Sequence, residues 1–179
     1  MANDLTNSQI DRQNILNNVV ALAEIQEKGD FKAIIWDGKL MFTRDMVAEF
    51  FEVDIRTISR YVEQNNEELR ANGYEVIHGK RLKEFMAVMS GKDIYVPTKT
   101  NVLGVFDFKA FLNIAMLLVE SERARLLRQI ILDIVIDLIN KRTGGSTKYI
   151  NQRDKDFISA YLQEDNYRRH FTDALKMPC

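Results

Sequence analysis

The sequence predicts an α+β fold that is mostly helical, with a small β-hairpin near its start and a long helical C-terminal part. Three observations predict it. The dipeptide Asp37-Gly38 separates two short apolar runs, the strongest local signal for a hairpin because both positions tolerate positive φ in a type I′ turn. Thr43 and Asp54 each stand just ahead of a stretch with helical apolar spacing, where their side-chain oxygens can take an orphan backbone N–H. From Asp107 to Arg142 apolar residues recur at helical spacing almost without a break.

The elements follow in order. Residues 1–7 are polar and read as a frayed end. Ser8 caps an expected helix that carries Ile15, Leu16, Val19, Val20 and Ala23 on one side and stops at Gly29. Residues 31–36 and 39–42 flank the Asp37-Gly38 turn. A first helix then runs from Thr43 through Phe51, with Phe42 and Val47 at the spacing of a hydrophobic staple. Glu52-Val53-Asp54 makes a turn without the glycine such turns often carry, so either Glu52 takes a strained backbone conformation or the turn differs from the usual one. A second helix spans residues 55–65. Val47, Ala48, Phe51, Val53, Ile58 and Tyr61 fall where two crossing helices bury side chains against each other. Residues 67–71 end that helical region at Asn72-Gly73, and residues 74–77 form a short strand. His78-Gly79 turns the chain into a basic run, Lys80, Arg81 and Lys83. Loops surround a short strand at residues 94–96, and another strand covers 102–106. Asp107 caps a helix with Phe108, Phe111, Leu112, Ala115, Met116 and Val119 on a core face. Ser121 opens the longest helix, through Arg142, ended by Gly144-Gly145. Its polar positions reduce to Arg125, Gln129, Asp133, Asp137 and Lys141, which makes it a core helix or a self-association surface. Residues 152–176 carry one or two more helices, with Arg168, Arg169 and His170 as a small basic group. The chain stops directly after that amphipathic stretch, the pattern expected of a piece of something longer.

The two helices and their turn read as a helix-turn-helix. Arg56, Thr57, Ser59 and Arg60 are left on the outer face of the second helix, side chains suited to phosphates and base edges. Thr43 and Arg44 would touch a duplex backbone at the first helix's N-terminus. Lys80, Arg81 and Lys83 would supply further phosphate contacts, which dominate affinity. Two alternatives stand beside this. Tri-helical units with the same apolar pattern also serve purely as packing modules, and the basic run also fits a solvated loop. The motif itself is net acidic, since Arg44, Arg56 and Arg60 face Asp45, Glu49, Glu52, Asp54 and Glu63.

Composition bounds the rest. Net charge is −1 and the pI about 6.2, so no global basic field exists and any basic surface must be local. The only cysteine is Cys179 and the only histidines are His78 and His170, which excludes an internal disulfide and a Cys/His metal cluster. No basic segment followed by an apolar run opens the chain, so no secretory signal is visible and the cytoplasm is the expected compartment. The run at residues 130–139 is interrupted by Asp133 and Asp137 and is too short to cross a bilayer. Those two aspartates lie one turn apart with Lys141 beyond them, an ion-pair ladder that lacks any base, nucleophile or metal ligand for catalysis. No enzyme, no catalytic residue, no cofactor and no metal are expected.

The segments FTRDMVAEFFEVDIRTISRYVEQNNEEL, NGYEVIHGKRLKEF and VFDFKAFLNIAMLLVESERARLLRQIILDIVIDLIN together resemble the RhuM-type proteins. These are bacterial DNA-binding-like proteins first labelled as virulence-associated, similar to phage antirepressor and KilA-type modules. The resemblance spans residues 40 to about 175. It implies a helix-turn-helix near the N-terminus, a helical C-terminal part and no defined catalytic residues. It also implies mobile elements and toxin–antitoxin-like loci, including neighbours of Fic/Doc toxins. The chain itself has no HPFxxGNGR stretch; His170-Phe171-Thr172-Asp173 lacks the proline and the glycine–asparagine cradle.

The expected organisation is an N-terminal helix, hairpin and helix-turn-helix region at residues 1–89, then a helical region at 90–179 serving as core and self-association surface. The expected function is sequence-specific binding of double-stranded DNA by a homodimer acting as a transcriptional regulator. Its alternative is an antitoxin-like or antirepressor-like module that binds a toxin-like or phage-related protein and no DNA. No membrane partner is expected.

Overall fold

A computed structural model of the protein describes residues 4–92 and 99–142. The expected strand at 94–96, the helices within 152–176 and the Gly144-Gly145 stop lie outside these residues. The chain divides into two compact units, one of residues 1–18 and 32–129, the other of residues 19–31 and 130–179.

The first unit is a mostly helical α+β structure around a four-stranded antiparallel sheet. It contains α1 (Gln9–Leu16), β1 (Ile34–Trp36), β2 (Lys39–Thr43), α3 (Arg44–Phe51), α4 (Ile55–Gln64), α5 (Asn66–Ala71), β3 (Tyr74–His78), α6 (Gly79–Ser90), β4 (Val102–Asp107) and α7 (Phe108–Leu117). It also holds the start of α8 (Glu122–Arg142); α2 (Val19–Lys28) belongs to the second unit. The strand order is β1-β2-β4-β3, with Phe42 and Tyr74 both opposite Phe106. The expected boundary at residues 89–90 therefore falls between strands of one sheet: without β4, β2 and β3 would have no partner between them.

The hairpin forms as its turn chemistry dictates, with Asp37 at φ 50° and Gly38 at φ 72°. It is not a free-standing wing, because β2 pairs on its other side with β4. One face of the sheet carries Ile34, Trp36, Met41, Ile77 and Val105, packed against Leu82, Phe85 and Met89 of α6. Trp36 meets Phe85 edge-on at 5.1 Å between ring centres. The other face presents Phe42 to Phe111 of α7, stacked at 4.3 Å. Phe50 and Phe51 of α3 close on the same Phe111 ring at 5.1 and 5.2 Å, so α3 is anchored to α7 by aromatic contact.

Two expectations need correction here. The basic run at 80–83 is no loop: it lies at the start of α6. Leu82, Phe85, Met86 and Met89 have the spacing of a helix face, and the sheet supplies the apolar surface that makes a helix pay there. The single helix expected from Ser8 to Gly29 is two helices, α1 capped by Ser8 Oγ accepting from Asp11 N–H and α2, with Asn17 closing the first. Val19 and Val20 are exposed and so is Ala23, while Ala21 and Ile25 are buried.

A buried polar network ties α1 to α5 and α7. Arg12 Nε and Nη2 each donate to a Glu68 carboxylate oxygen at 2.7 Å, and Arg12 Nη1 reaches the Leu5 and Thr6 carbonyls. Asn113 Nδ2 donates to Glu68 Oε1 at 2.7 Å, and Asn72 Nδ2 donates to Asn113 Oδ1 at 2.9 Å. Burial pushes the Glu68 carboxyl up, but the bonds from Arg12 and Asn113 outweigh it and hold the group below the usual carboxylate range.

In the second unit, α2 carries a Lys28–Glu24 ion pair one turn apart. Along the later part of α8, Ile130, Ile131 and Ile134 are buried while Ile136 and Ile139 are exposed. Asp137, one of the expected polar stripe, is buried, with Lys141 Nζ 2.6 Å from its Oδ2.

Candidate nucleic-acid interface

The α3–turn–α4 segment is built from local rules first. Thr43 Oγ1 accepts from Met46 N–H at 3.3 Å and caps α3. Asp54 Oδ1 accepts from Arg56 N–H at 2.8 Å and caps α4. Between them Glu52 adopts φ 56°, ψ 46°, the left-handed conformation that the missing glycine imposes on it. Val53 N–H returns to Ala48 O at 3.1 Å, which closes the helix end.

Distant residues then clamp the turn. Ser121 Oγ donates to Phe51 O at 2.6 Å and accepts from Ala124 N–H at 3.1 Å, so one hydroxyl ends α3 and starts α8. Arg123 Nη1 donates to Phe50 O at 3.0 Å, and its Nε lies 3.6 Å from a Glu52 carboxylate oxygen.

Ile58 and Val62 bury one side of α4; Arg56, Arg60, Glu63 and Gln64 are exposed on the other. Among the described residues Arg56 makes no side-chain hydrogen bond or ion pair. Arg60 is paired with Glu120, in the connection between α7 and α8. Tyr61 Oη donates to the other Glu120 oxygen at 2.6 Å and accepts from Val119 N–H at 3.2 Å. The Tyr61 bond holds the Glu120 carboxyl below its usual range. Burial, with Glu120 beside it, pushes the Tyr61 hydroxyl up. Near neutral pH the pair is therefore a neutral donor and a charged acceptor.

The remaining expected residues divide. Thr43 is 3 % exposed and its oxygen is spent on the cap, so it presents nothing to a ligand. Arg44 is half-buried: Nη2 donates to Tyr74 Oη at 2.7 Å and Nη1 to Ser59 Oγ at 3.4 Å, while Nε is buried with no acceptor among the described residues. Its guanidinium joins α3, α4 and β3 in place of pointing freely outward. Thr57 and Ser59 are half-buried, not on the open face.

Lys80 and Arg81 in the first turn of α6, and Lys83 just past it, are all exposed. Arg81 Nη2 donates to Glu75 at 3.1 Å and its guanidinium lies 4.8 Å from the Trp36 ring centre. Lys80 Nζ is 3.8 Å from Glu84. His78 supplies no side-chain cap and the first turn has no acidic residue, so Lys80 and Arg81 crowd the positive end of the helix dipole, with Lys83 just past that turn. This group rests on β1, β3 and β4, whereas α4 packs on α3 and α5. No described hydrogen bond or ion pair joins the two groups.

Sequence reasoning missed Tyr74, Glu120, Ser121 as a clamp and Arg123. Each acts across a separation of 30 or more residues, and no local pattern announces such a pairing. Among the described residues no group of three or more His, Cys, Asp or Glu can hold a metal ion, and no helix is long and apolar enough to cross a membrane. No family model, no curated protein and no solved structure matches this chain.

Proposed function

We propose that this chain is a sequence-specific DNA-binding protein that lays α4 in the major groove of a duplex and regulates transcription as a homodimer. The observation that carries the reading is the division of α4: Ile58 and Val62 inward, Arg56 and Arg60 one turn apart and exposed. A helix of this kind offers guanidinium groups to guanine edges and phosphates while its inner side stays fixed. The cations crowded at the start of α6 support the reading, because bound phosphate would relieve their conflict with the helix dipole. The resemblance to RhuM-type proteins points the same way, by analogy only.

Selection of genomic fragments by the purified protein supplies the test site. On that site Arg56→Ala and Arg60→Ala are each expected to weaken binding by roughly 5- to 150-fold if the arginine reads a base. Affinity should also fall steeply with salt. Shifts unchanged in both variants would remove α4 from the interface.

A second reading has its own support: the carboxylate of Glu120 on Arg60 and the acidic residues around α4 suit a protein partner, toxin-like or phage-related, better than a polyanion. Absence of retention on heparin, with a protein co-purifying through α4, would favour it.

A further inference from the structure

We propose that Glu120 is a specificity-determining residue of the α4 surface, an internal competitor that must leave Arg60 before its guanidinium can take a DNA phosphate or a guanine edge. This rests on the DNA-binding reading above. The Glu120 carboxylate meets Arg60 and Tyr61 together, and Val119 N–H completes the latch on Tyr61 Oη. Carboxylate and phosphate present similar paired oxygens to a guanidinium, so Glu120 occupies the place a phosphate would take. Arg60 and Glu120 are about half exposed, at 51 % and 45 % of their side-chain surface, and such pairs are held weakly enough to be exchanged.

The consequence is selective. A phosphate is the same in every sequence and offers Arg60 little beyond what Glu120 already provides. A guanine edge offers two acceptors in fixed geometry. An internal carboxylate therefore discounts sequence-independent binding more than specific binding, a repulsive element used for discrimination. Arg56, which carries no such partner among the described residues, keeps its full charge for the backbone.

The test titrates a fluorescent random-sequence duplex with the full chain across a series of salt concentrations. The proteins are wild type, Glu120→Gln, Arg60→Ala and the double variant. Glu120→Gln is expected to bind the random duplex roughly two- to fivefold tighter at low salt. The slope of log affinity against log salt should steepen by up to about 0.9, the value for one phosphate. The double variant should lose that gain. Unchanged or weaker binding by Glu120→Gln overturns the proposal, as does a gain that survives in the double variant, since it would then be a general charge effect. If wild type binds the duplex and these outcomes fail, only the role of Glu120 falls. If no protein binds at the lowest salt, the DNA-binding reading falls and takes this proposal with it.

Discussion

Glu68→Ala tests the buried network directly. Arg12 and Glu68 keep only 6 % and 7 % of their side-chain surface. The substitution removes both acceptors of a bidentate guanidinium at 2.7 Å and the acceptor of Asn113 Nδ2. An uncompensated guanidinium then remains buried in α1, and breaking such a pair costs about 3–5 kcal/mol. Total stabilities of roughly 5–15 kcal/mol make this a large fraction. With a urea slope of about 1–3 kcal/mol per molar, the unfolding midpoint followed by circular dichroism should fall by about 1–5 M. The paired replacement Arg12→Met with Glu68→Leu should cost less than Glu68→Ala alone, because no charge is left behind and only the Asn113 amide and the Leu5 and Thr6 carbonyls lose a partner. The pH dependence has a definite sign. The folded carboxyl titrates below its reference value of 4.5. Its contribution is thus present above that value and lost as pH falls through the depressed folded one. The paired variant should lack this acid-sensitive component. A Glu68→Ala loss under about 1 kcal/mol, or an identical acid profile in the paired variant, would refute the reasoning.

Two further substitutions probe what positions α7 and α4. Gly73 has φ +104°, and an added Cβ would fall on the carboxylate of Asp107, which caps α7 through Ala110 N–H. Gly73→Ala should therefore destabilise by about 2 kcal/mol or more, combining backbone strain with a lost cap, as read from thermal unfolding. Ser121→Ala removes the bond to Phe51 O and the cap of α8. It should cost about 1–3 kcal/mol in urea unfolding and raise amide exchange at the Glu52 turn; unchanged exchange there would show that the clamp does not hold the turn.

Much of the fold was legible because it is decided within a few residues. The Asp37-Gly38 turn, the caps at Ser8, Thr43, Asp54 and Asp107, and the left-handed Glu52 follow from short-range hydrogen bonding and φ sterics. The same reasoning placed Arg56 and Arg60 on the open side of α4 and Ile58 inside, but it gave Tyr61 the inward place that Val62 holds and set the half-buried Thr57 and Ser59 beside the arginines. It failed for Thr43, whose cap was read correctly but whose burial beneath the sheet end was not.

By itself, then, the sequence determined the hairpin, the bounds of α3 and α4 and the cationic positions of α4, all matters of local sterics and periodicity. Only the tertiary structure decided that β4 enters between β2 and β3, that α6 forms against the sheet, and that Glu120 sits on Arg60. The physical reason is one of range. Local geometry has few solutions for a given residue, whereas partners 30 to 73 residues apart are chosen by competition among all the surfaces the folded chain can bury.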